Sequence, residues 1–168
     1  MILTALEIQK ECDLGNITIH PFSIGNLGTI SYKFSLGRYI IIVSKEQDSK
    51  QPSHRKPCMI PETGMLLQPD NVYLAATYER LGSIHFSQMI FGLKKIADSG
   101  IYIDISANLG HVGSLTHWTL ELTVAKPVTV YPMHLIGQIV FWSLHGTHDK
   151  YKGVYNQNVL PVNSIGIY

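Results

Sequence analysis

Apolar and polar positions alternate along much of this chain, giving way to helical spacing in only two short stretches. WTLELTV, Trp118 to Val124, sets large apolar residues against smaller or polar ones with a period of two, the pattern of a half-buried strand. Leu135 to Trp142 is a second strand-like run, carrying a single amide, Gln138. Upstream, NITIH (16–20) and YKFSL (32–36) alternate in the same way. Gly37 predicts a turn after the second of these, and RYIIIV (38–43) reads as a β-branched run buried on both faces. Beyond residue 58 the predicted strands are short: 59–60, 64–67, 72–79 and 86–90. Turn signals separate them at Pro61-Glu62-Thr63-Gly64, Pro69-Asp70-Asn71 and Leu81-Gly82-Ser83. Short strands at spacings of roughly 8–12 residues predict an all-β sandwich or barrel.

The two helical stretches are brief. TALEIQKEC (4–12) places Thr4 as an N-cap with Glu7 three residues on, a capping-box pattern, and Gly15 as its stop. GLKKIAD (92–98) puts Leu93, Ile96 and Ala97 on one face of a single turn and Lys94 and Lys95 outside it. Between residues 44 and 58 lies a polar break with several charges and two prolines, read as an exposed loop. The C-terminal stretch from about 145 to 168 is rich in glycine, proline, asparagine and tyrosine. It lacks the apolar content for a core of its own and is expected to lie over a neighbouring site or subunit.

Composition narrows the reading. The chain's 168 residues suit one domain, 1–168. Charged residues make up 15%, below the roughly one quarter usual for a soluble domain, a deficit that predicts surface hidden in an oligomer. A net charge of +1 provides no field to gather a nucleic-acid polymer. No apolar run approaches the roughly 20 residues of a membrane span. The first residues read straight into an element and not into a basic leader. Cys12 and Cys58 stand far apart, and a disulfide between them is not required, so a reducing, cytoplasmic compartment is expected. Eight histidines are scattered without metal-ligand spacing. What remains as candidate chemistry is one carboxylate, Glu121, on one strand and one amide, Gln138, on another.

The order of these motifs resembles the dCTP deaminase branch of the trimeric dUTPase superfamily. MILTALEI, NITIHPF and SYKFSLG match that family's opening, whose patterns are M-I-L-S/T-x-x-x-I, I-x-P-F and S-Y-D-L-x-L-G. GMLLQP (64–69), YLAAT (73–77) with ERLG (79–82), and WTLEL (118–122) match further segments, as do Tyr131-Pro132 and IGQIVF (136–141). The resemblance implies a distorted β-barrel or jelly roll of the dUTPase-like type with one or two short helices. It also implies a homotrimer with small-molecule sites at subunit interfaces and a tail that closes over a neighbour's site. In that family the carboxylate matching Glu121 is the general base that activates water without zinc, and the amide matching Gln138 helps line the base and sugar pocket.

The family's G-R-S-S-L-A-R-L-G signature, whose arginine and first serine help hold the triphosphate, reads here GLKKIADSG (92–100). The following T-A-G-x-x-D-x-G-F keeps Ala107 but has His111 for the aspartate and Ser114 for the aromatic. The P-G of a later turn is Pro132-Met133. In the tail, the lysine of K-Y-x-x-Q falls near Val154, with Tyr155 and Gln157 or Asn158 remaining. The candidate site is therefore catalytic Glu121 and His111, with Gln138, Ala107, Lys94, Lys95, Tyr151 and Tyr155 binding substrate. No metal or other cofactor is expected, apart from Mg²⁺ if the substrate is a triphosphate. The reading these residues favour is a diverged homotrimer repurposed for acid/base chemistry on a modified nucleoside, a nucleotide or a biosynthetic intermediate. The alternatives are a genuine dCTP deaminase or dUTP diphosphatase, and a non-catalytic nucleotide- or partner-binding relative.

Overall fold

The computed structural model describes residues 1–43, 56–103, 107–153 and 160–162. Most of the predicted polar loop and part of the tail, including Tyr155, lie outside the described residues. In chain order the elements are α1 (Ala5–Asp13), β1 (Ile17–His20), β2 (Tyr32–Val43), β3 (Cys58–Met59), β4 (Met65–Leu67), β5 (Val72–Thr77), β6 (Arg80–Ser83) and β7 (Ser87–Gly92). There follow α2 (Lys94–Asp98), β8 (Ile101–Ile103), β9 (Leu109–Gly110), β10 (Leu115–Thr116), β11 (Thr119–Val124), β12 (Val128–Val130) and β13 (Leu135–Trp142). The fold is mainly β, as the alternation predicts. One large sheet runs β8-β11-β5-β2-β13-β7-β9, with β3 also on β2. Smaller sheets, β1-β6-β10 and β12-β4, flank it.

The inward positions build a single core. Tyr32, Phe34, Ile40, Leu67, Leu81, Leu120, Leu122, Ile139 and Phe141 are fully excluded from solvent. Burying side chains of this size contributes about 1.5–3 kcal/mol each, which holds the curled sheet closed.

Several expectations need correction. Gly37 does not turn the chain, because β2 runs unbroken from Tyr32 to Val43. A Cβ at residue 37 would sit 2.7 Å from the Ala76 carbonyl oxygen, so this glycine serves close strand approach where the β2–β5 register shifts. The run 38–43 is buried at Ile40 and Ile41 only, since its neighbours face outward. Leu81-Gly82-Ser83 is not a turn but part of β6, which pairs with both β1 and β10. Gly82 allows that crossing, for a Cβ there would lie 1.9 Å from the Ser114 carbonyl oxygen. Helix α1 forms and ends at Gly15, whose φ is 76°, but the Thr4 side chain makes no cap bond. Glu7 instead pairs with Lys10 at 2.9 Å. Both cysteines are free thiols.

Candidate functional site

Glu121 sits at the middle of β11, between β5 and β8, opposite Leu74. Its neighbours Leu120 and Leu122 are fully buried, so the pleat turns the carboxylate to the outer face, where it is exposed. The entry to β11 is anchored by hydrogen bonds. The Trp118 N–H donates to Thr77 Oγ1 at 2.9 Å, and that hydroxyl donates to the Glu79 carbonyl at 2.7 Å. His117 Nδ1 lies 3.1 Å from the Thr77 carbonyl oxygen.

Beneath this corner Glu79 is buried, with 3% of its surface accessible. The Ser35 N–H donates to one of its carboxylate oxygens at 2.8 Å and the Ser35 hydroxyl to the other at 3.1 Å. Burial pushes its carboxyl above the usual value, with the Ser35 bonds opposing the shift.

Gln138 is half-buried on β13, opposite Lys33 of β2 on one side and Phe91 of β7 on the other. The buried Ser31 hydroxyl donates to its Oε1 at 2.9 Å. This fixes the amide orientation and leaves the NH₂ group as the outward donor.

The 92–100 segment forms the single turn that the spacing predicts. The Leu93 N–H donates to the Ile136 carbonyl at 3.1 Å, which ties α2 to β13. Leu93 and Ile96 are half-buried, while Ala97, read as the third apolar position, is exposed. Lys94 Nζ lies 2.7 Å from Asp98 Oδ2, and Lys95 faces solvent.

His111 lies in the turn between β9 and β10 and stacks on Tyr151, with ring centroids 5.3 Å apart and planes 13° from parallel. The Tyr151 N–H donates to the Val112 carbonyl at 2.7 Å, which holds this piece of the tail against its own chain. A cleft of about 280 Å³ opens there, lined by Ser87, His111, Leu144, His148, Lys150 and Tyr151 among others. Along the large sheet, β9 and β11 are separated by β5, β2, β13 and β7. The structure thus brings His111 to the tail tyrosine, Lys94 to Asp98, and Gln138 to Ser31. Ala107 is an exposed residue of the segment before β9.

A family model described as dCTP deaminase-like matches residues 2–144. The chain belongs to the dCTP deaminase-like family. A protein of Clostridium beijerinckii named dCTP deaminase, dUMP-forming, is 34% identical over 160 residues, covering 94% of this chain and 92% of the relative. A protein of the same name from Leptospira biflexa is 35% identical over 165 residues, covering 96% and 94%. The crystal structure of 2'-deoxycytidine 5'-triphosphate deaminase from Agrobacterium tumefaciens superposes with a TM-score of 0.64 at 17% identity. That match covers 86% of this chain and 48% of the other, and it establishes the likeness of fold.

Within a dCTP deaminase-like fold, the sequence singles out Glu121 because it is the lone acid in its strand. It does not single out Glu79, Ser31 or Ser35. Glu79 carries one signal, an acid two residues past the end of β5. Its partner Ser35 lies 44 residues away, so its role exists only in the folded chain. Among the described residues no three His, Cys, Asp or Glu side chains converge as a metal site. No helix among them is long and apolar enough to cross a membrane.

Proposed function

We propose that this chain is a deaminase of cytosine deoxynucleotides that works as a homotrimer, with Glu121 as the general base. The observation carrying this reading is the exposed carboxylate of Glu121, fixed on β11 between two buried leucines, in a chain alike over nearly its whole length to dCTP deaminases. Glu121 takes a proton from water, and the resulting hydroxide adds to C4 of the ring. The proton passes on to the departing amine, ammonia leaves, and the carbonyl of uracil remains. The name dUMP-forming describes a product with two phosphates fewer than dCTP, so the conversion it names also cleaves the phosphate chain. Gln138, held by Ser31, presents its NH₂ toward the ligand. Ala107, Tyr151 and Tyr155 are the remaining contacts in this reading.

A second reading is favoured by one observation. Where the family signature has a phosphate-binding arginine and serines, this chain has Leu93, the Lys94–Asp98 pair and the exposed Lys95. Leu93 offers no side-chain donor, and Asp98 repels phosphate. The same base would then serve a repurposed enzyme acting on a less charged substrate. One assay separates the two readings. Ammonia release is measured from dCTP, dCMP and deoxycytidine at equal concentration, with and without Mg²⁺. Faster turnover of dCTP supports the first reading. Turnover of the nucleoside alone supports the second, and no ammonia from any of them removes the first.

A further inference from the structure

The family patterns carry an acid at the third position of S-Y-D-L-x-L-G and an arginine at the seventh of the G-R-S-S-L-A-R-L-G signature. In this chain both charges are inverted, to Lys33 on β2 and Asp98 on α2. The two reversals cancel in sum and place a new cation on the strand, while α2 carries Lys94, paired with Asp98, and the exposed Lys95. The structure shows what the new position offers. Lys33 faces Gln138 directly across the β2–β13 pair, and Phe91 flanks Gln138 from β7. Directly opposed side chains of adjacent strands lie about 4.5–5.5 Å apart at Cβ. Tyr32, Ile139 and Ile90, one residue along each strand, fill the core, so Lys33, Gln138 and Phe91 share the outer face.

The amide of Gln138 is oriented by a single hydrogen bond among the described residues. Ser31 donates its proton to Gln138 Oε1, which leaves the Gln138 NH₂ and the Lys33 ammonium as donors. Lys33 is half-buried and enters no ion pair among the described residues. Helix α2 starts three residues beyond Phe91 and is tied to β13 through Leu93 and Ile136, so the patch adjoins the segment where the family signature lies. An oriented NH₂ beside an ammonium with no ion pair among the described residues is a pair of donors that matches phosphate oxygens.

We infer that Lys33, with the Ser31-oriented amide of Gln138, is an anion-binding site that holds the phosphate chain of a nucleotide in place of the altered α2 signature. The ligand class, a nucleoside polyphosphate, rests on the deaminase reading above, whereas the anion site itself stands without it.

The test is calorimetric binding of inorganic tripolyphosphate, dCTP and deoxycytidine to the full chain and to Lys33→Gln, Ser31→Ala and, as a charge-matched control, Lys10→Gln. Loss of one charge-assisted contact is expected to weaken tripolyphosphate and dCTP about tenfold or more in Lys33→Gln. Ser31→Ala should weaken both by a smaller factor, because the amide is no longer held. Deoxycytidine should bind Lys33→Gln as it binds the parent, and Lys10→Gln should match the parent throughout. Unchanged dCTP and tripolyphosphate affinity in Lys33→Gln overturns the site, as does a parent protein that binds neither anion. Lys33-dependent tripolyphosphate binding without ammonia release from dCTP upholds the site and removes the deaminase reading. Turnover of dCTP with a dissociation constant indifferent to Lys33→Gln does the reverse.

Discussion

The carboxylate of Glu79 accepts both the backbone N–H and the hydroxyl of Ser35, at 2.8 and 3.1 Å. This bond set locks the end of β5 to β2 just before the β2–β5 register shift. Glu79→Ala would strand a buried N–H, and stability should fall by about 1–3 kcal/mol. In a thermal melt that is roughly 2–4 °C for each kcal/mol in a chain of this size.

The same residue sets a pH dependence of unusual sign. Burial raises the Glu79 carboxyl, so the folded state keeps its proton to higher pH than the unfolded chain does. Its contribution is therefore fully present below the unfolded value and is lost as pH rises through the folded one. Most carboxylates act the other way. Urea midpoints of parent and Glu79→Gln, measured from the ordinary glutamate range up to neutrality, should diverge, with the parent losing ground as pH rises. Parallel curves would show that this carboxyl does not titrate in that window.

Glu121→Gln should leave the fold intact, since the side chain is exposed and its buried neighbours are untouched. Ammonia release should fall by about 10²–10⁴-fold, the usual contribution of a positioned general base. Ligand affinity should be kept. A variant that deaminates at the parental rate would remove Glu121 from the chemistry.

Asp98 is paired with Lys94 on the surface, and an exposed i,i+4 pair contributes only about 0.3–0.5 kcal/mol. Asp98→Asn should thus barely change the melting temperature. Under the deaminase reading, it should strengthen dCTP binding by freeing Lys94 and removing a repelling charge. Weaker dCTP binding in Asp98→Asn would show that the carboxylate assists the ligand.

Met133 stands at φ 65°, in the left-handed region, at the turn where the family pattern has glycine. A side chain there is strained by about 1–2 kcal/mol, which the extra freedom of an unfolded glycine partly offsets. Met133→Gly should raise stability by up to about 1 kcal/mol, read as a higher denaturation midpoint. A lower midpoint would mean that packing of the half-buried Met133 side chain outweighs the strain.

Strand β13 is legible in the sequence because its eight residues form a bounded run rich in β-branched and aromatic side chains, and β11 because its six residues carry a clean period of two. Strands β8 and β12, three residues each, are too short to display one. Strand β6 is hidden for a different reason. Its glycine and serine are turn residues by local preference, and only the close passage of the β9–β10 turn over Gly82 explains them. The candidate site divides in the same way. Glu121 is visible as a lone acid in an apolar strand. The orientation of Gln138 is not, because Ser31 lies 107 residues away and no window of sequence contains both.

The Leu3 N–H donates to the Phe141 carbonyl at 2.9 Å, Ile2 bridges to Trp142, and the Met1 ammonium reaches Ser143 Oγ at 2.8 Å. The opening of the chain thus finds its partners only once almost the entire barrel has been synthesised. During translation these first residues wait while the ribosome adds the rest, and the last closure joins segments from opposite ends of the chain. Such a topology favours slow, late folding over stepwise folding at the tunnel exit. An N-terminal tag, which displaces the Met1–Ser143 contact, should therefore act more strongly on the rate of unfolding than on the rate of refolding.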